Sequence, residues 1–495
     1  MAAGAEVKLP AVISSHMVLQ QGVPVPIWGT AAPGEKITVK FRDQTKTTEA
    51  DAKGNWSVKL DPLKLGEPDS LTVNTIKLDD VLVGEVWVGS GQSNMQMVVT
   101  NYSKNDPGLE KIAGESYPKL RLMTAGTKGW VESTPENNQK FSALLFSFGV
   151  PLQKELNVPL GLMVGAVGGT PSGYWLSEEA YAVDDACKDV VAKAAAKYNP
   201  EEAQKKYQAD LEKFEKDATE AKAQNKPAPR KPNPPHKPGE PAGKIGNLYE
   251  RNIRPYIPFA MKGVLWDQGE SGTAIQSLDQ FTLMGALIRG WRKEWGQGDF
   301  PFIHVQKPSG GGCAWDPQDP VTNKADAFDK LPAEPGPGGN MNYSENHIKI
   351  NQYPNTAMVI STDLGSGIHP ANKSGYGARA SRVALGMVYG KKIEYYGPLY
   401  QSNKIEGNKV RIAYTHVGQG LAPKHSEKIQ GFAVAGEDKV FHWADAVIDG
   451  ETVVVSSDKV PNPVAVRYAW AHPARWANLF NKDGLPAIAF RTDSW

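Results

Sequence analysis

Four short blocks of this chain carry residues with the chemistry of acyl transfer. Gly89-Ser90-Gly91-Gln92-Ser93-Asn94-Met95 sets a serine in a glycine-rich turn that allows close substrate approach. A hydroxyl is a weak nucleophile until a base takes its proton. Of the nine histidines, His369 in Gly365-Ser366-Gly367-Ile368-His369-Pro370 is the candidate base, because it sits on a glycine-rich loop after the apolar run ending near Ile360. In Trp266-Asp267-Gln268-Gly269-Glu270-Ser271, the Gln268 amide is a candidate donor to an oxyanion, and Glu270 is placed either to orient a histidine or to bind substrate. Gly165-Ala166-Val167-Gly168-Gly169-Thr170 offers bare backbone N–H groups for the same oxyanion. Such donors matter because charge gathers on the carbonyl oxygen in the transition state; losing one costs ~10²–10³-fold in rate.

Each block follows an apolar, branched run. Val86-Trp87-Val88, Leu162-Met163-Val164, Val264-Leu265-Trp266, Phe302-Ile303-His304-Val305 and Met358-Val359-Ile360 read as buried strands, with helices near 142–156, 278–295 and 373–389 between them. Continuous apolar strands alternating with helices predict a parallel sheet covered on both faces, whose ligands bind beyond the carboxyl ends of the strands. Four chemistry-bearing loops at that one edge make a constellation, where each alone is a weak signal. Pro151 either kinks the first helix or begins a second one.

The flanks read differently. Short alternating runs and turn residues predict a small, antiparallel β domain over 1–80 and a second β domain over 392–495. Residues 177–243 read as an insertion into an α/β domain made of 81–176 and 244–391. Ser177 is a candidate helix cap, an exposed helix follows Asn199-Pro200, and the seven prolines between Pro227 and Pro241 force an extended tail. The insertion either shapes the cleft, mediates assembly or does neither.

With 55 Lys+Arg against 54 Asp+Glu, the net charge of +1 gives no reason to expect a nucleic-acid or anionic-membrane partner. No apolar stretch is long enough to span a bilayer. Cys187 and Cys313 have no metal-like spacing; they form one disulfide or two free thiols depending on the compartment. The N-terminus shows no signal-peptide pattern, which is expected either of a cytoplasmic protein or of one whose signal was replaced by an initiator Met.

Taken in order, Gly91-Gln92-Ser93-Asn94-Met95, Gly168-Gly169-Thr170, Trp266-Asp267-Gln268-Gly269-Glu270-Ser271 and Ile368-His369-Pro370 resemble the blocks of the sialate O-acetylesterase-like branch of the SGNH hydrolase superfamily. Weaker likeness in Pro26-Ile27-Trp28-Gly29, Trp291-Arg292 and Ala465-Val466-Arg467-Tyr468-Ala469-Trp470 extends the resemblance over nearly the whole chain. The resemblance implies an SGNH-type α/β/α three-layer hydrolase domain flanked by N- and C-terminal β-sandwich-like domains. It implies a secreted or periplasmic enzyme, without metal or other cofactor, that removes acetyl groups from carbohydrate such as xylan, xyloglucan or sialic acid. Ser93 would be the nucleophile and His369 the base; the Ser93 and Gly169 N–H groups and the Gln268 amide would form the oxyanion hole. Two positions depart from the family pattern. Ser366 and Gly367 stand where relatives carry the acid that orients the histidine, leaving Glu270, Asp363, a backbone carbonyl or a simple dyad, of which Glu270 is preferred by analogy with related acetylxylan esterases. Asp267 replaces an aromatic residue, and with Trp175 and Trp315 it is a candidate for contacting substrate. The rival expectations are a non-catalytic carbohydrate-binding protein and an esterase for a non-sugar ester.

Overall fold

The structure is a computed structural model and describes residues 6–310, 318–323, 325, 327–339 and 341–495. It is a mixed α/β protein built on a partly parallel central sheet with further β-sheets beside it. The sheet runs Thr356–Val359, Phe302–Val305, Gly263–Asp267, Ile76–Gly91, Leu160–Ala166, Tyr117–Thr124, Val131–Ser133, and every neighbouring pair is parallel except the last.

The strands are apolar throughout because both faces are covered. Val86, Val88, Val264, Trp266 and Phe302 point into one core, shared with Leu283, Leu287 and Trp291 of the helix Gln280–Trp295. Their neighbours Trp87, Leu265, Ile303 and Val305 point into a second core, with the helices Ala143–Leu156 and Lys373–Met387. Those two helices cross closely at Gly377, where a Cβ would lie within 2.3 Å of the Ser147 backbone. Pro151 is carried inside the single helix Ala143–Leu156 and starts no second one.

The strand Ile76–Gly91 does more than join this sheet. Its first half pairs with Asp69–Val73, and through that strand with Lys36–Phe41 and Gln44–Glu49. The antiparallel N-terminal strands expected to form a sheet of their own are therefore continuous with the central sheet; only Val25–Thr30 and Asn55–Leu60 pair separately. At Asp79–Asp80 the register shifts and Asp80 takes a left-handed φ of 55°, a bulge that turns the strand from one pairing set to the other. Asp80 is held there by His16 Nδ1 at 2.7 Å and by the buried Arg121 at 2.8 Å. The position 80/81, where composition changes, lies at this bulge inside a continuous strand.

Residues after Leu399 form two four-stranded antiparallel sheets around a third core that includes Ile412, Phe432, Val453, Val466 and Phe490. In the 177–243 segment, Ser177 caps Glu178–Val183 and Asn199 caps Pro200–Ala223, a helix with no buried residue. The proline tract runs extended until its end pairs with the loop after Glu270: Gly239 N–H donates to Gln276 O, and Ala242 N–H to Ala274 O. Cys187 is a buried free thiol; Cys313 lies outside the described residues. No helix among the described residues is long and apolar enough to cross a membrane.

Candidate active site

The central strand ends at Gly91, whose φ of 126° and approach to the Asp267 carbonyl, 2.1 Å from where a Cβ would stand, leave room for glycine alone. Gln92 N–H donates to that same carbonyl at 2.8 Å, and the chain turns into the short helix Ser93–Gln96. Ser93 is its first residue, so the Ser93 N–H has no intrahelical acceptor.

His369 meets it from the loop after Thr356–Val359. Its Nε2 lies 2.9 Å from Ser93 Oγ at a solvent-exposed position. With the ring proton on Nδ1, Nε2 accepts from the hydroxyl, the arrangement a general base needs. The loop is tied down by Tyr376 Oη donating to Gly365 O at 3.1 Å and Asn372 Nδ2 donating to Leu364 O at 3.2 Å.

The second block folds over the serine. Val167 N–H donates to Gly91 O, Gly168 N–H donates to Gln96 Oε1 at 2.7 Å, and a Cβ on Gly168 would stand 3.3 Å from Ser93 Cβ. Gly169 is exposed with a φ of 70°, and its N–H has no acceptor among the described residues.

Other expected site residues stand elsewhere. Gln268 is fully buried, its amide donating to Thr170 O at 3.3 Å and Gly272 O at 3.2 Å and its Oε1 accepting from Gln280 at 3.0 Å. With both amide protons on backbone carbonyls it has none for an oxyanion; it holds the two loops together instead. Glu270 is not joined to His369. One of its oxygens accepts from Gln92 Nε2 at 2.6 Å and the other pairs with Lys307 Nζ at 2.8 Å. Asp363 is buried and gripped by both terminal nitrogens of Arg379. Among the described residues no carboxylate bonds His369 Nδ1. Trp175 is fully buried, edge-on to Trp266 with ring centroids 6.1 Å apart, and belongs to the core. Asp267 is also buried, turned inward by Lys307 Nζ at 2.7 Å. Trp315 lies outside the described residues.

Two buried lysines beneath the site were not anticipated. Burial opposes the charge on Lys307, but Asp267 and Glu270 outweigh it and raise its pKa above the ordinary lysine value. Lys373, in contrast, is pushed down to about 7 by burial, despite the opposing pull of Asp267. Its Nζ donates to Asn94 Oδ1 at 2.7 Å, and Asn94 Nδ2 donates to Ile368 O at 3.0 Å. The available signals were a lysine closing the apolar run of Phe302–Val305 just before Pro308, and one in the first turn of a helix, where the dipole disfavours a cation.

No family model matches the chain. It is 26% identical to the sialate O-acetylesterase of Homo sapiens over 551 residues, covering 99% of this chain and 94% of that protein. It is 26% identical to the Mus musculus sialate O-acetylesterase over 521 residues, covering 94% and 90%. Among solved structures, a carbohydrate acetylesterase from Xanthomonas citri superposes with a TM-score of 0.76 at 27% identity, covering 99% of this chain and all of that one. By this likeness along its length, in sequence and in fold, the chain is a homologue of the sialate O-acetylesterases and a carboxylic ester hydrolase.

Proposed function

We propose that the protein is a serine O-acetylesterase acting on an acetylated carbohydrate, with Ser93 as nucleophile and His369 as general base. The observation that carries this reading is the 2.9 Å approach of Ser93 Oγ to His369 Nε2 at the exposed carboxyl edge of the sheet. The names of the relatives support the substrate class.

The residues suggest the following course. His369 Nε2 takes the hydroxyl proton as Ser93 Oγ bonds to the acetyl carbon. Negative charge on the carbonyl oxygen is met by the Ser93 and Gly169 N–H groups, both without acceptors among the described residues. As the tetrahedral centre collapses, the bond to the sugar oxygen breaks, and His369 returns its proton to that oxygen. A water then attacks the acetyl carbon as His369 takes its proton; the bond to Ser93 Oγ breaks, His369 returns the proton to Oγ, and acetate leaves. Glu270 acts one step back, by holding Gln92 beside the nucleophile.

In this reading the segments 81–176 and 244–391 form an SGNH-type hydrolase region, 1–80 and 392–495 flank it, and 177–243 is inserted into it. Export from the cytoplasm accords with a polysaccharide or glycan substrate.

The test is Ser93→Ala assayed on p-nitrophenyl acetate and for acetate release from acetylated xylan, xyloglucan, pectin and O-acetylated sialic acid. Turnover is expected to fall by on the order of 10³-fold or more on every ester the wild type accepts. Wild-type turnover in the variant would refute the assignment, and the ranking of the four natural esters names the sugar.

A further inference from the structure

Asn94 follows Ser93, and Ile368 precedes His369. The Asn94 side-chain amide therefore spans the two chain segments that carry the reacting atoms, donating from Nδ2 to the Ile368 carbonyl at 3.0 Å. The tip of the histidine loop is rich in glycine. Gly365 and Gly367 flank Ser366 with φ of 95° and 98°, a Cβ on Gly367 would meet nothing within 4 Å, and the Ile368 side chain is 67% exposed.

An asparagine amide can present either its oxygen or its nitrogen to a neighbour. One end of this amide is held by Lys373, whose Nζ lies 2.7 Å from Asn94 Oδ1. Lys373 donates to that oxygen, and the Ile368 carbonyl, which only accepts, takes the amide nitrogen at the other end, so the two neighbours together fix the amide.

Lys373 stands where a cation is costly. It is 1% exposed, at the first position of the helix Lys373–Met387, where the helix dipole opposes positive charge. The nearby Asp106 spends its oxygens on the N–H and hydroxyl of Ser374. The ring faces of Tyr102 at 4.5 Å and Tyr376 at 5.6 Å also line its place, and would accept an apolar side chain as readily. Among the described residues, the hydrogen-bond partner of its Nζ is Asn94 Oδ1.

We infer that Lys373 is a positioning residue for the Ser93–His369 pair, acting by fixing the orientation of the Asn94 amide. The inference rests on Ser93 and His369 being the reacting residues.

The experiment uses the full chain and p-nitrophenyl acetate, with Ser93→Ala, Lys373→Met, Asn94→Asp and the Lys373→Met/Asn94→Asp double variant. Lys373→Met keeps the length of the side chain and removes the donor. Asn94→Asp keeps the acceptor for Lys373 and removes the donor to Ile368. Each single variant is expected to lose ~10–100-fold in kcat with KM within about twofold of wild type and melting temperature within a few degrees. Because both act on one bond, the double variant is expected to be no more than about threefold below the worse single one. The rate of labelling of Ser93 by a serine-directed phosphonate should fall in parallel. Wild-type kcat in Lys373→Met, where Ser93→Ala is inactive, overturns the inference and leaves the site assignment standing. Multiplicative losses in the double variant also overturn it. Should Lys373→Met fail to fold, Asn94→Asp decides alone, and wild-type kcat there is again the refuting result. Wild-type turnover in Ser93→Ala overturns both readings together.

Discussion

Lys307 Nζ lies 2.7 Å from Asp267 Oδ1, with both side chains almost wholly out of water. Glu270 shares the same ammonium at 2.8 Å. One cation thus bridges two acids beside the Ser93 turn. Lys307→Met would leave the two carboxylates facing each other without it, and removing one partner of a buried pair costs about 3–5 kcal/mol. The variant is expected to lose that much unfolding free energy in denaturant titration. A loss under about 1 kcal/mol would show that the triad does not hold these strands together.

Glu270→Gln should behave differently. Lys307 keeps Asp267, and the new amide oxygen can still accept from Gln92, so folding is expected to survive. With the charge-assisted bond to Gln92 weakened, kcat on p-nitrophenyl acetate should fall by roughly tenfold with KM little changed. Because Glu270 does not touch His369, the pH at which activity rises should not move. A shift in that limb would place the carboxylate on the imidazole during turnover.

Gln268 gives the opposite expectation. Truncation to Ala removes a donor from the part-buried Thr170 and Gly272 carbonyls and orphans the buried Gln280 amide, at about 1–3 kcal/mol for a buried group left unpaired. Thermal unfolding should move down clearly, while kcat of the folded fraction at low temperature changes by much less than the ~10²-fold that loss of an oxyanion donor brings. A selective 10²-fold loss of kcat at unchanged melting temperature would return Gln268 to the oxyanion hole.

His304 supplies a pH prediction. Burial, against the smaller pull of Asn351, lowers its pKa from 6.5 to about 4. Between those values the unfolded chain binds a proton that the folded chain does not, so stability present above pH 6.5 is lost as pH falls toward 4. His304→Gln should flatten the dependence of unfolding free energy on pH across that window. Parallel pH profiles for wild type and variant would show that the imidazole is not buried neutral.

Apolar periodicity made the sheet legible. The runs at Val86–Val88, Leu162–Val164, Val264–Trp266, Phe302–Val305 and Met358–Ile360 lie on the parallel strands, and the helices expected near 142–156, 278–295 and 373–389 are those of the two faces. Side-chain period and burial are local properties, and sequence carries them. The direction of a polar side chain is not local. Gln268 is turned by Gln280, twelve residues on, and by Thr170, ninety-eight residues back. Glu270 is taken by Gln92 and Lys307, which come from two other strand ends. Motif spacing could bring these residues to one edge of the sheet, but only the packed fold decides which acid meets which base.

The bulged strand Ile76–Gly91 bears on how the protein can be cut and recombined. Its first half belongs to the N-terminal hairpins, and its last residues deliver the serine. No splice between the two exists that leaves both edges paired. A truncation or chimera joined at 80/81 would expose one set of unpaired strand groups and free the Asp80 anchor at the root of the nucleophile's strand. The N-terminal hairpins therefore serve as the fixed mount of the Ser93 turn, and a graft of the parallel sheet onto another protein has to carry them along.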